Sequence, residues 1–266
     1  MQRPDPLAVV GIRLKVRRAH EQLHALESEV RRFMDRKPYA IVGDFNEDRS
    51  EYLFKFREFE RPPVAWGVTL GEIVHNLRSA LDHAIFQLTL KCSGKPRHGS
   101  GFPILTDPAD WDRPNRDGTG LSRTSGLHQV GGTSGAVQAI VQASQPYATN
   151  PDDPTQSPLW GIHKMWTQDK HRFLSFAAAR VVHESVGVTP AVAGSSFLKG
   201  GLLKDGAVVA GYRFKAPAPE EVKVNGKFAA QIVIESMYRP DSDSQLAIRD
   251  DFYAVIHVLE LLLVRL

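Results

Sequence analysis

The chain has 266 residues, of which 42% are hydrophobic and 24% charged, as is ordinary for a globular protein with a proper core. A net charge of +3 permits a polyanionic partner but does not require one. The single cysteine, Cys92, excludes an intramolecular disulfide and favours a reducing, cytoplasmic location.

Residues 6–35 are predicted to form one long amphipathic helix, which Pro38 ends. Apolar residues recur along one side at helical spacing: Leu7, Val10, Leu14, Leu23, Leu26, Val30 and Phe33. The other side is basic: Arg13, Lys15, Arg17, Arg18, Arg31 and Arg32. Solvation alone accounts for such a face, so its charge does not by itself indicate a nucleic-acid partner.

Residues 38–60 are predicted to be β-rich, with two strands on either side of the polar turn GDFNEDRS. Within it, GDFN (residues 43–46) resembles a metal-site motif of the endonuclease/exonuclease/phosphatase superfamily. In such enzymes an Asp and an Asn at a strand end hold metal and phosphate. The earlier strands that this arrangement needs are not predicted here, which favours an ordinary Gly-Asp-Asn turn.

The segment LGEIVHNLRSALDHAIFQL, residues 70–88, lies in a helix predicted for residues 69–91, with Thr69 as its N-cap. One side is apolar and predicted to be buried: Leu70, Ile73, Leu77, Ala80, Leu81, Ala84 and Leu88. The other side combines two histidines, two carboxylates, an arginine and a hydroxyl, which is an unusual set for a solvated helix face: Glu72, His75, Arg78, Ser79, Asp82 and His83. This polar side is therefore the leading candidate site.

Residues 93–132 are rich in glycine, serine, threonine, proline and charge, and a long loop is predicted there. Its stretch GLHQVGGT, residues 126–133, has the spacing of a phosphate-binding loop. Glycine occupies the lysine position, so the main charge partner of the phosphates is missing.

The rest of the chain completes an α+β protein, a helical bundle with an inserted or appended antiparallel β-sheet, in a single domain spanning residues 1–266. The further predicted elements are helices at 134–145, 158–170 and 244–266 and strands within 173–238. The apolar C-terminal run contains His257 and Glu260 and is shorter than the ~20 residues that a bilayer needs. It is therefore predicted to be a core helix, and no membrane partner is expected.

Arg78 and His83 are separated by four residues on the central helix. This spacing resembles the R-x4–6-H signature of HEPN domains, helical bundles common in bacterial toxins and defence ribonucleases. The resemblance implies a homodimer in which Arg78 contacts a scissile phosphate and His83 transfers a proton, with Ser79 and Asp82 as orienting neighbours. It implies RNA cleavage without metal or other cofactor.

The residue types fit that chemistry, because attack by a ribose 2′-OH needs proton transfer near neutral pH, which suits histidine. A fixed guanidinium suits the charge that builds on the phosphate oxygens. At ~100° per residue, Arg78 and His83 lie ~140° apart around the helix axis. Both reach one phosphate only if the RNA backbone approaches between them.

A second polar cluster ends the helix predicted at 158–170, in the sequence WGIHKMWTQDKHR. Paired charges at a capped helix end explain it without function. Alternatively this end docks beside the central helix, so that Arg78, His83, Asp169, His171 and Arg172 form one pocket. The chain also resembles an uncharacterised bacterial group that pairs HNLRSALDH with a downstream DKHR, a likeness that implies no function.

Two alternatives to the nuclease stay open. Glu72 and His75 have the i, i+3 spacing that carboxylate-bridged metal bundles use, so a metal-dependent hydrolase with Glu72, His75 and His83 as ligands is conceivable. The polar side is otherwise a structural hydrogen-bond network in a binding protein without catalysis. RNA or a nucleotide is the expected partner of the leading hypothesis.

Overall fold

The computed structural model describes residues 6–95, 98–172, 174, 176–189, 192–197, 202–214, 220, 222–234 and 248–266. Its helices are α1 (Pro6–Asp35), α2 (Ala65–Ser93), α3 (Gly126–Val130), α4 (Gly135–Ala143), α5 (Pro146–Thr149), α6 (Pro158–Asp169) and α7 (Ile248–Leu263). Its strands are β1 (Tyr39–Phe45), β2 (Glu51–Glu58), β3 (Phe176–Thr189), β4 (Val192–Phe197), β5 (Val208–Phe214) and β6 (Lys223–Ile234). The predicted α+β class is confirmed.

The chain divides into two compact units, each discontinuous in sequence. The helical unit consists of Met1–Leu26, Val68–Phe173 and Ala247–Leu266. The sheet unit consists of Glu27–Gly67 and Leu174–Leu246. Every residue of the candidate site lies in the helical unit.

The sheet unit contains a four-stranded antiparallel sheet in the order β1-β2-β5-β4 and a two-stranded antiparallel sheet of β3 and β6. Alternation along β2 turns Phe54 and Phe56 to one face, where they pack with Val209 and Tyr212 of β5. The GDFN motif spans the end of β1 and the turn into β2, and the Asp44 carboxylate accepts a hydrogen bond from the Phe45 amide at 2.8 Å. In the turn that follows, Asp48 accepts a hydrogen bond from the Ser50 amide at 2.9 Å, which is the ordinary turn chemistry of Asp.

The helical unit has the buried stripe that was predicted for α2, with Leu70, Ile73, Leu77 and Leu81 fully inaccessible. The stripe predicted for the start of α1 is wrong, because Leu7, Val10 and Leu14 are 76%, 49% and 46% exposed. The inner positions of α1 are instead Ile12, Ala19, Leu23, Leu26 and, in the sheet unit, Phe33. Among the described residues, no helix combines the length and apolar character needed to cross a membrane.

The segment predicted as a long loop, residues 93–132, contains ordered structure. Pro108–Asp110 forms a 3-10 turn, and α3 begins after Ser125, whose hydroxyl accepts a hydrogen bond from the His128 amide. Buried Phe102 and Trp111 anchor the segment, and a Cβ at Gly126 would collide with the Trp111 ring. The first glycine of the phosphate-loop-like stretch is therefore needed for packing.

Helix α7 packs on α6 through a buried carboxylate, because the side chain of Asp251 lies against the backbone at Gly161. Asp251 is only 7% exposed. Its burial, followed by the negative charge of Asp250, raises the pKa of Asp251 to about 8. The side chain is therefore mostly protonated at neutral pH, and ionising it costs stability.

The substitution Asp251→Asn, which keeps the side chain neutral at every pH, tests this burial. In the unfolded chain an Asp ionises near pH ~3.9, so the wild type loses stability as the pH rises from about 4 to about 8. The free energy of unfolding of the variant relative to wild type should therefore rise by more than ~1 kcal/mol over that range. Urea unfolding at several pH values measures it.

The exposed Asp152 lies in the same unit and provides the matched control. Asp152→Asn makes the same side-chain substitution at an exposed position and should show no such change with pH. If the free energy of unfolding of Asp251→Asn relative to wild type were also independent of pH, Asp251 would not be a buried, protonated carboxylate.

Candidate functional site

The polar side of α2 is divided into a buried and an open part. Arg78 is 8% exposed, whereas His75 and His83 are on the surface. The ~140° between positions 78 and 83 explains the difference, because one position turns toward the interior when the other faces solvent.

Arg78 is held inside the helical unit by one carboxylate and one aromatic ring. Its Nη2 lies 3.2 Å from Oδ1 of Asp82, and its guanidinium carbon lies 5.4 Å from the centre of the Trp166 ring. Its Nε and Nη1 are buried and have no hydrogen-bond partner within the described part of the chain. Burial lowers the pKa of Arg78 and the Asp82 charge opposes that shift, so the ion pair keeps the cation tolerable.

Asp82 joins α2 to the segment that follows it. The same Oδ1 that pairs with Arg78 also accepts a hydrogen bond from the Phe102 amide at 2.9 Å. Phe102 is fully buried, so this bond fixes a core side chain as well as the backbone. Asp82 is thus a structural junction directly beside His83.

Helix α6 lines the buried side with aromatic rings. His163 lies between Trp160 and Trp166, with ring centres 5.4 Å and 6.1 Å away. Burial, then the positive charges of Arg78 and Lys170, lowers the pKa of His163 to about 4. His163 is therefore neutral at physiological pH and does not repel the buried guanidinium.

His83 faces an open cleft of about 390 Å³ between α1 and α2. The cleft is lined by Ala8, Gly11, Lys15, His83, Phe86 and Gln87. Partial burial, then the charge of Lys15, lowers the pKa of His83, while Asp82 opposes the shift. The Phe86 ring is 38% exposed beside it, so a cation, an imidazole and an accessible ring share one cleft.

A second cleft, of about 560 Å³, lies farther along the same two helices. Its polar lining residues are Arg18, Gln22, Glu72, His75, Asn76 and Asp169. Gln22 donates a short hydrogen bond to Glu72, and its own Oε1 accepts from Asn76 at 3.4 Å. Asp169, at the end of α6, lies against the α2 backbone at Gly71.

The structure does not bring the predicted five-residue pocket together as one site. Asp169 lies in the second cleft, Arg78 pairs with Asp82, and His83 shares its cleft with Lys15. His171 and Arg172 are exposed beyond the end of α6, and Ser79 is half-buried. Helix α6 does lie beside α2, but the contacts run through Asp169 and Trp166.

The three residues proposed as ligands in the metal-dependent alternative also lie in different clefts. Glu72 and His75 line the second cleft, whereas His83 lies in the first. Over the described ranges, no group of three or more His, Cys, Asp or Glu side chains could hold a metal ion. Glu72, His75 and His83 therefore do not form one metal site in this structure.

Two residues of the first cleft, Lys15 and Phe86, were not singled out by the sequence analysis. Lys15 was one of six cations on a solvated face, and only the pairing of α1 with α2 distinguishes it. Phe86 had a local signal, because it lies three residues after His83 and outside the apolar stripe of α2. An aromatic ring on a polar helix face is a feature that sequence can reveal.

Comparisons with protein-family models, with curated proteins and with solved structures find no match to this chain. The assignment of function therefore depends on the geometry of the site and on the R-x4-H resemblance.

The substitution Asp82→Ala tests the junction, because it leaves Arg78 buried without its counter-ion and removes the bond to Phe102. A broken buried pair costs ~3–5 kcal/mol, and the one-third exposure of Asp82 reduces the expected loss to about 2–3 kcal/mol. Arg78→Met, which removes the buried charge itself, should cost much less. Urea unfolding measures both.

Glu21→Ala is the matched control, since it breaks the ion pair of Arg17 and Glu21, whose side chains are 69% and 56% exposed. Glu21→Ala should lower the free energy of unfolding by less than ~1 kcal/mol. Equal losses for Asp82→Ala and Glu21→Ala would show that Asp82 is not a structural junction.

Proposed function

We propose that the helical unit is a HEPN-like module that binds single-stranded RNA between α1 and α2 and cleaves it without metal. The observation behind the proposal is the cleft in which Lys15, His83 and the exposed Phe86 ring face the same space. Single-stranded RNA is recognised by aromatic stacking of its bases together with cations on its phosphates. Both elements meet here beside a group that can move a proton.

Each of the three side chains has a separate role. A base stacks on Phe86, and the Lys15 ammonium binds the adjacent phosphate. His83, whose lowered pKa keeps it unprotonated near neutral pH, accepts the proton of the ribose 2′-OH. The 2′-oxygen then attacks phosphorus, the 5′-oxygen leaves with a proton from water, and the products are a 2′,3′-cyclic phosphate and a 5′-OH.

Arg78 acts in this proposal as a positioning residue. Its side chain is only 9% exposed, so a direct phosphate contact would require the guanidinium to be uncovered first. From its buried place it orients Asp82, the neighbour of His83, and through it the turn of α2 that presents the imidazole. The cation that meets the phosphate is Lys15.

The second cleft extends the binding surface along the same helices. Eleven residues of α2, about 16 Å, separate His75 from Phe86, which gives room for a short single strand. Arg18 and His75 provide further polar contacts there. The homodimer that the HEPN resemblance implies belongs to the same proposal. The molar mass of the protein in solution tests it.

A non-enzymatic RNA-binding protein is the second candidate. The bonded set of Arg78, Asp82 and Phe102 favours it, because such networks also stabilise folds that perform no chemistry. The two candidates share the cleft and differ only in the role of His83.

Binding and cleavage of a fluorescent single-stranded RNA by the wild type, three cleft variants and two control variants test the proposal. Lys15→Ala should weaken binding. It should also reduce the slope of log K against log salt concentration by the amount that corresponds to about one phosphate contact. Phe86→Ala should lose ~1–3 kcal/mol of binding free energy from lost stacking. His83→Ala should retain binding and lose cleavage by ~100-fold or more.

The matched controls are Arg17→Ala, which removes one exposed cation from α1, and Phe59→Ala, which removes a phenylalanine that is 70% exposed in the sheet unit. Both should bind and cleave like the wild type. Binding without cleavage in the wild type would favour the non-enzymatic candidate. No RNA binding at low salt, or equal losses in the controls and the cleft variants, would refute both.

A further inference from the structure

Two histidines on α1, outside the clefts described above, form a close pair. His20 and His24 are one helical turn apart, and their Nε2 atoms are 3.0 Å from each other. The ring centres are 4.3 Å apart and the planes nearly perpendicular, at 86°. His24 is exposed and His20 half-buried, so solvent reaches the pair.

The position of His20 is fixed by α7. Its ring centre lies 5.6 Å from that of Phe252 and 6.5 Å from that of Tyr253. Phe252 is fully buried in the core of the helical unit, so it provides a rigid support. The first imidazole is therefore held in place before any ligand arrives, which reduces the entropy cost of binding.

The separation of the two nitrogens, 3.0 Å, is close to the one that a transition-metal ion requires. With metal–nitrogen bonds of ~2.0–2.1 Å, two ligands in tetrahedral positions lie about 3.3 Å apart. Two histidines at i and i+4 on one helix face are also the pair that binds zinc in the HExxH motif. Metal binding would replace the direct Nε2–Nε2 contact of 3.0 Å and separate the two nitrogens by a further ~0.3 Å.

We propose that His20 and His24 form a binding site for a divalent transition-metal ion of the zinc, nickel and copper class. Imidazole nitrogens select these ions over Mg²⁺ and Ca²⁺, which prefer oxygen ligands. The chain provides two ligands, and the other coordination positions belong to water or to a group from outside the described residues. The site is separate from the RNA cleft and does not depend on the proposed nuclease.

The test is metal titration of the full chain produced without a polyhistidine tag. Isothermal titration with ZnCl₂ or NiCl₂ should show saturable binding of one ion per chain, and MgCl₂ should show none. His24→Ala and His20→Ala should each weaken binding by at least ~10-fold, the loss that even an outer-shell partner causes. Electron paramagnetic resonance of the Cu²⁺-loaded chain should show two nitrogen ligands in the wild type and one in His24→Ala.

His257→Ala is the matched control, because His257 is also exposed on a helix but has no histidine four residues away. It should bind metal like the wild type. His24 is exposed, so its substitution is expected to leave the fold intact, and far-UV circular dichroism verifies this. Absence of saturable binding in the wild type, or binding that survives His24→Ala unchanged, would overturn the proposal.

Discussion

The buried ion pair of Arg78 and Asp82 is the interaction on which the rest of the candidate site depends. A guanidinium that is 8% exposed needs a counter-charge, and Asp82 provides it while also accepting a hydrogen bond from the Phe102 amide. Trp166 covers the guanidinium from α6. Because both residues of the pair belong to α2, the rotation of the helix about its own axis is fixed by the contacts that the pair makes outside the helix, with the Phe102 amide and the Trp166 ring, together with the burial of the apolar stripe.

With α2 fixed in this way, the side chains that follow the ion pair face α1. Asp82 is next to His83, and Phe86 follows three residues later on the same side. Lys15 of α1 lines the same cleft, and burial, then the charge of Lys15, lowers the pKa of His83. A buried ion pair and an exposed histidine thus lie within two turns of one helix.

Much of the fold could be predicted from local patterns, since the apolar spacing of α2 and the alternation along β2 follow directly from helix and strand geometry. The buried apolar stripe predicted for the start of α1 was wrong, because Leu7, Val10 and Leu14 have helical spacing but are exposed in the structure. Sequence left open whether the segment after Ser93 is ordered, since its order depends on the burial of Phe102 and Trp111. For the candidate site, sequence identified Arg78 and His83, but it could not show that one is buried or that Lys15 lies beside the other. The first depends on the packing of α6 beside α2, and the second on the pairing of α1 with α2.

The central claim, that RNA lies in the α1–α2 cleft, is tested most directly by photocrosslinking a 4-thiouridine-containing single strand to the full chain and mapping the adducts by mass spectrometry. The account predicts adducts on Phe86 or its immediate neighbours, and their loss in Phe86→Ala. Adducts confined to the sheet unit, or to His171 and Arg172 beyond α6, would contradict it.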